Sequence, residues 1–242
     1  MTGLAPIDHR KIKAITFDYF GTLVDVDQGA AGGMARVLRV IGRTDLDPRE
    51  TYLRWDIENV RLYRGSAYRR YREVAAEAMR RLLADLPAPD VSVQGAGARD
   101  ASSLSEMLLL GLVEGSAPHP EVPAVLDALA RSYRLMPVTN MDSDLFARSA
   151  LASRFPDVTT AEMARAYKPS ERIFRLALDR LGLSPDAVLH VAISPWADIE
   201  GAKPLGIKVV WVNRGDDVLG KWTPLPDFEI ASLDGLRDIL RL

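Results

Sequence analysis

The feature that most constrains this fold is an alternation of short apolar strands and amphipathic helices that stops directly after its first strand and resumes past residue 115. Ile12 to Phe17 (IKAITF) is dense in apolar and β-branched residues and ends at Asp18, with Gly21 just beyond, which reads as a buried strand followed by a turn. From about Gln28 to Glu114 the spacing is helical, interrupted at Gly42 to Pro48 and by the Pro/Gly/Ala-rich stretch Leu86 to Asp100. Four helices are predicted there, and Leu86 to Asp100 is predicted to be mobile. Beyond the block, Glu121 to Ser132, Ser143 to Ser153 and Pro169 to Leu181 read as helices, the last with Pro169 in its first turn. Leu135 to Thr139, Val188 to Ile193 and Val209 to Asn213 read as strands, the first made irregular by Pro137. Such alternation implies a parallel sheet wrapped by helices. The expected architecture is therefore α/β: a doubly wound, Rossmann-like core over residues 1–27 and 115–242, with an inserted helical cap domain over 28–114.

The length of 242 residues accommodates one compact core carrying a smaller insertion. With 31 basic and 33 acidic residues the formal charge is -2, so no field of one sign attracts nucleic acid or an anionic membrane, and small molecules are the expected partners. Cysteine is absent, which removes disulfides, thiolate metal sites and cysteine nucleophiles together. The first residues contain no apolar region of signal-peptide length, so a cytoplasmic location is expected. No apolar run approaches the roughly 18 to 20 residues that cross a bilayer.

In a parallel sheet, ligands gather at the carboxyl ends of the strands, where helix N-termini present free N–H groups. Four polar segments fall at such ends: Asp18, Thr139 with Asn140, Lys168 before a helix, and Ser194 to Asp198. A carboxylate, a hydroxyl, an ammonium and a second carboxylate in one crevice suit nucleophilic catalysis on an anionic substrate. Each residue also has a bland reading. Asp18, Thr139 and Asn140 are common turn formers, Lys168 could be a solvated loop lysine, and Asp198 could cap the helix running into Glu200 to Lys203. His9, His119 and His190 do not form a metal set by spacing, and His190 reads as structural. Tyr68 and Tyr71 with Arg69, Arg70 and Arg72 read as a solvated helix face.

The run FDYFGTLVD (Phe17 to Asp25) resembles the first motif of the haloacid dehalogenase superfamily, VTNMD (Val138 to Asp142) its second and YKPS (Tyr167 to Ser170) its third. The segment VAISPWADIEGAKPLGIKVVWVNR (Val191 to Arg214) is similar to the fourth motif and the strand that follows. These stand in the family's order and span nearly the whole core. Phosphatases of the superfamily carry a general-acid Asp where this chain has Phe20, and an acidic magnesium ligand where it has Ile193. An apolar ring cannot move a proton, and a hard cation would lose an oxygen ligand.

The 2-haloacid dehalogenase branch also has an aromatic residue at the Phe20 position and uses no metal, so the resemblance implies no cofactor. It further implies that Asp18 attacks carbon, displaces a leaving group and forms an ester that water hydrolyses. In that reading Lys168 keeps Asp18 ionised, since an ammonium within about 4 to 6 Å favours the carboxylate. Thr22 fixes the turn that aims Asp18, Thr139 and Asn140 hold the substrate carboxylate, and Asp198 positions or deprotonates water. A cap arginine would receive the leaving halide or the substrate carboxylate. Arg54, Arg61 and Arg64 are the candidates, and the local LRW run favours Arg54. Tyr19, Phe20, Trp55 and Trp196 are candidates for the apolar wall of the pocket, although core packing is the plainer reading for each. Ala192 and Ser194 stand where the branch has Ser and Asn, and Phe174 stands where it has Tyr. A homodimer is in keeping with the resemblance. Two other functions compete: a magnesium-dependent small-molecule phosphatase using Asp18 and Asp198, and a catalytically inactive binding protein.

Overall fold

The computed structural model describes residues 10–65, 67–86 and 100–242. The expectation of mobility over Leu86 to Asp100 falls on residues 87–99, outside that range, as does His9. In chain order the elements are strand β1 (Ala14–Phe17), helices α1 (Asp27–Val40), α2 (Pro48–Gly65), α3 (Tyr71–Asp85), α4 (Ala101–Gly115) and α5 (Val122–Leu129), strand β2 (Arg134–Thr139), helix α6 (Ser143–Phe146), strand β3 (Thr159–Thr160), helices α7 (Ala161–Ala164) and α8 (Glu171–Leu181), strands β4 (Val188–Ala192), β5 (Lys208–Val212) and β6 (Phe228–Ile230), and helix α9 (Gly235–Leu240). The chain divides into two compact units: the segments up to Val24, Pro118–Asn140 and Ser153–Leu242 form one, and Asp25–Ala117 with Met141–Ala152 form the other.

The first unit is built on a six-stranded sheet in the order β3-β2-β1-β4-β5-β6, with every neighbouring pair parallel. The doubly wound architecture read from the sequence is the one found. Every residue of β1 and β4 is buried, as a parallel sheet covered on both faces requires. The strand order reverses between β1 and β4, and the crevice beyond the carboxyl ends at such a switch point is where ligands bind in open α/β sheets.

Pro137 sits inside β2 without breaking it. Arg134 donates to the Lys13 carbonyl, so by alternation the nitrogen of Pro137 points away from β1, toward the side where β3 begins only opposite Val138. The three helices read beyond residue 115 are all shorter than their sequence patterns suggest, and for two of them the side chains show why. The helix read over Ser143 to Ser153 stops at Phe146 and continues as turns, in which the Ser149 hydroxyl bonds the Phe146 carbonyl at 2.6 Å and so competes with the helical ladder. Pro169 lies outside α8, because Ser170 takes the cap position and its hydroxyl accepts from the Arg172 N–H.

The second unit holds the four helices expected between residues 28 and 114. α1 and α4 cross on glycine: a Cβ on Gly111 would lie 2.5 Å from the Gly33 Cα, and one on Gly115 would lie 2.9 Å from the Gly29 Cα. Trp55 belongs to this unit's core, fully buried with its indole N–H on the Ala75 carbonyl at 3.1 Å. Asp142, also fully buried, accepts the backbone N–H groups of Tyr71 and Arg72 and thereby supplies the cap that Arg70 does not provide to α3. That interaction places Met141–Ala152 with the helices, whereas the alternation of strands and helices had assigned it to the core. Arg72 pairs with Glu106 of α4 and with Asp144, and the Tyr71 hydroxyl accepts from Asn59. The Tyr and Arg run is therefore used partly inward rather than as a solvated face.

Candidate active site

Asp18 leaves the end of β1 with its backbone N–H bonded to the Val191 carbonyl of β4 at 3.0 Å, so the sheet ladder itself fixes where the side chain starts. The chain then reverses through Gly21, whose φ of 86° lies in the region that glycine enters without penalty. Three residues distant in sequence hold this turn. The His119 ring donates from Nε2 to the Gly21 carbonyl at 3.0 Å, the Arg214 guanidinium reaches the Thr22 carbonyl at 3.0 Å, and Glu121 holds the same guanidinium at 2.8 Å. Sequence reasoning missed all three, since His119 between two prolines carries only a loop signature.

Thr22 connects the two central strands. Its hydroxyl donates to Asp18 Oδ2 at 2.6 Å and accepts the Ile193 N–H at 2.9 Å. The Ile193 carbonyl in turn accepts the Trp211 indole N–H at 3.0 Å, which ties the loop after β4 to β5. On the other side of the carboxylate, Lys168 Nζ donates to Asp18 Oδ1 and to Asp198 Oδ1, both at 2.7 Å. The three side chains are all but sealed from solvent, at 12 % exposure for Asp18, 3 % for Lys168 and none for Asp198.

Lys168 is aimed by its main chain. Asn140 Oδ1 accepts the Lys168 N–H at 2.7 Å, and Asn140 Nδ2 faces the Lys168 carbonyl at 3.4 Å. The Asn140 side chain thus pins the main chain of the lysine. Thr139 is buried at the end of β2. Asp198 lies within a single π-helical turn, Pro195–Ile199, and does not cap it. Ser194 does, accepting from the Ala197 N–H, so the capping role read for Asp198 belongs to Ser194.

Asp198 is held from behind by His190. The ring nitrogen Nε2 lies 2.9 Å from Asp198 Oδ1, and Nδ1 lies 2.9 Å from the Thr16 hydroxyl. Phe174 is buried edge-on against this imidazole at 5.3 Å between centroids, so it supports the histidine and is not free to line a pocket. Gly201 allows that packing: a Cβ there would stand 2.4 Å from the Phe174 ring. Tyr19 is wholly buried with its ring against Phe20, which is itself partly exposed, as is Trp196. Arg54 is exposed on α2 of the helical unit.

The electrostatics follow from two carboxylates sharing one ammonium. Burial pushes Asp18 above the usual carboxylate range, partly offset by Lys168 and reinforced by the charge of Asp198. Burial also works against ionisation of Asp198, but Lys168 and the His190 hydrogen bond outweigh it and hold that carboxyl low. Lys168 is raised, because the two carboxylates outweigh its own desolvation. The charge of Lys168, divided between two partners, thus offsets only part of the effect of burial on Asp18.

This donor set does not fit a hard divalent cation. The facing oxygens of both carboxylates are taken by an ammonium, and Ile193 offers an aliphatic side chain where a third oxygen ligand would stand. Among the described residues, no group of three or more His, Asp or Glu side chains has metal-binding geometry.

A family model for haloacid dehalogenase-like hydrolases matches residues 12–206. The chain is 27% identical to haloacetate dehalogenase H-2 of Moraxella sp. (strain B), over 94% of this chain and 97% of that one. It is 28% identical to the (S)-2-haloacid dehalogenase of Pseudomonas sp. (strain YL), over 92% and 91%. The fold superposes with a TM-score of 0.74 on L-2-haloacid dehalogenase from Xanthobacter autotrophicus with chloropropionic acid covalently bound, at 23% identity over 95% and 98% of the two chains. The sheet order, the motif segments at its switch point and the match along most of the chain agree, and the protein belongs to the haloacid dehalogenase-like hydrolases.

Proposed function

We propose that this hydrolase removes halide from short 2-haloalkanoic acids without a metal, through an ester on Asp18. The observation that carries the reading is the triad of Asp18, Lys168 and Asp198, in which one buried ammonium bridges a carboxylate at the end of β1 and a second carboxylate just after β4. Two carboxylates held by a lysine, with Phe20 and Ile193 at the positions where phosphatases carry acids, support displacement at carbon rather than at phosphorus.

In the first step Asp18 attacks the halogen-bearing carbon, a carbon–oxygen bond forms, and the carbon–halogen bond breaks with its electron pair leaving as halide. Lys168 and Thr22 hold the two carboxylate oxygens in place during the attack. In the second step Asp198 takes a proton from water, whose oxygen adds to the carbonyl carbon of the Asp18 ester. The tetrahedral intermediate expels the hydroxy acid, which recovers that proton. Asp18 is released as the carboxylic acid and loses its proton to solvent, so each turnover yields one halide and one proton. Tyr19, Phe20, Trp196, Thr139 and Ser194 are assigned to the substrate's surroundings, and Arg54 to the leaving halide or the substrate carboxylate.

The test is halide release from 2-chloropropionate and from haloacetate, followed by ion chromatography with and without a chelator. Release unchanged by the chelator is the expected result. Absence of release from any short haloacid, or magnesium-dependent hydrolysis of an aryl phosphate in its place, overturns the proposal.

A further inference from the structure

We propose that His190 is a positioning residue that shares Asp198 Oδ1 with Lys168 and so turns Asp198 Oδ2 toward the hydrolytic water. The inference rests on the dehalogenation proposed above.

His190 occupies the middle of β4, where its neighbours Leu189 and Val191 are apolar and where it has no exposure at all. An imidazole there is costly unless both ring nitrogens are bonded. Both are. His190 is the register partner of Thr16 on β1, so the two side chains share one face of the sheet, and Nδ1 meets the threonine hydroxyl at 2.9 Å. A carboxylate only accepts, so the hydrogen between His190 and Asp198 sits on Nε2. In the neutral ring Nδ1 is then an acceptor, to which the Thr16 hydroxyl donates. Thr16 thereby fixes the tautomer in which His190 is a donor to Asp198. The other groups on the pair are the edge-on Phe174 ring, which is apolar, and Lys168, whose ammonium lies on the same carboxylate.

The consequence appears at the two oxygens of Asp198. Oδ1 receives both Lys168 and His190 at 2.7 and 2.9 Å, whereas Oδ2 is buried and has no hydrogen-bond partner among the described residues. A fully buried carboxylate oxygen left bare costs stability unless it serves a ligand. With Oδ1 occupied by two donors, Oδ2 is the one basic position open to a water proton. In the ester-hydrolysis step the water O–H bond breaks onto Oδ2, the water oxygen bonds the Asp18 carbonyl carbon, and Oδ2 later returns the proton to the departing alkoxide.

The experiment compares His190→Phe and His190→Gln with the wild type. For haloacetate, His190→Phe lowers kcat by about 10- to 100-fold, the range for an orienting partner of a catalytic group, with KM within about twofold. The Asp18 ester then accumulates, and intact mass spectrometry after acid quench shows one added carboxymethyl group. His190→Gln, whose amide N–H reaches the same oxygen, restores most of kcat. An unchanged kcat in His190→Phe, or a loss of activity without ester accumulation that glutamine fails to restore, overturns the proposal. Should the phenylalanine variant fail to fold, His190→Asn, too short to reach Oδ1, takes its place with the same outcomes. A second arm needs no substrate: crystal structures are expected to show an ordered water on Oδ2 in the wild type and a rotated Asp198 carboxylate in the variant. A bare Oδ2 or an unmoved carboxylate refutes the positioning role even if haloacids prove not to be substrates, so the two failures are distinguishable.

Discussion

Replacing Lys168 by methionine keeps the volume of the side chain and removes the ammonium from a site where it bonds two carboxylates at 2.7 Å each. Each carboxylate–ammonium pair, with charge centres about 4 Å apart at an effective dielectric near 20, is worth roughly 4 kcal/mol of direct attraction. Desolvation offsets part of that in the wild type, and breaking a buried pair by removing one partner costs about 3–5 kcal/mol. Lys168→Met is therefore expected to lose about 3–5 kcal/mol of stability at pH 7, measured by urea unfolding. The sign with pH follows from the carboxylates. Without the ammonium, burial raises both Asp18 and Asp198, so the cost is full at neutral pH, where an unfolded carboxylate is ionised, and is relieved as acid protonates the buried pair. The gap between variant and wild type should narrow from pH 7 to pH 5, and halide release at pH 7 should fall sharply because Asp18 loses the ammonium that favours and orients its carboxylate. A variant as stable as the wild type at pH 7, or a gap that widens on acidification, would refute the account of a shared ammonium.

Asp18→Asn should lower kcat for dehalogenation by at least about 10⁴-fold, as checked by halide release. Because burial raises Asp18, the acidic limb of the wild-type pH–rate profile should lie above the usual carboxylate range, and a limb inside that range would contradict the burial argument. Gly201→Ala places a Cβ 2.4 Å from the Phe174 ring and 2.8 Å from the Pro169 carbonyl, so a loss of about 1–3 kcal/mol is expected from chemical denaturation. In the helical unit, burial pushes Asp56 up to about 6. That is a cost absent below the ordinary carboxylate pKa and complete above pH 6, so Asp56→Asn should gain about 1–3 kcal/mol at pH 7 and little at pH 4.

The core architecture was legible in the sequence because strands such as Ala14–Phe17 and Val188–Ala192 are buried on both faces and appear as mostly apolar runs, each with a single polar residue. Asp18, Lys168 and Asp198 could be singled out because strand ends in a parallel sheet converge, and Thr22 because its run resembles a family motif. Their placement in one hydrogen-bonded cluster is a tertiary fact that the chain order does not contain. What the chain order does not carry is a remote partner. Nothing local to Asn140 shows that it bonds Lys168, and nothing local to Phe174 shows that it packs on His190. His190 reads as structural, but only the folded sheet brings Thr16 and Asp198 to its two nitrogens. The overlong helix at Ser143 to Ser153 shows a local limit as well: serine hydroxyls that bond nearby carbonyls do not disturb apolar periodicity and so leave no mark on it.

The glycine crossing of α1 and α4 has its own implication for variation among such proteins. Gly29 and Gly33 on one helix and Gly111 and Gly115 on the other repeat at four-residue intervals, and the two backbones approach so closely there that any Cβ would collide. The separation of this pair at the glycines is thereby set by backbone contact. Core volume in the helical unit can change only where side chains are buried, as at Trp55 on α2 and at Val74 and Met79 on α3.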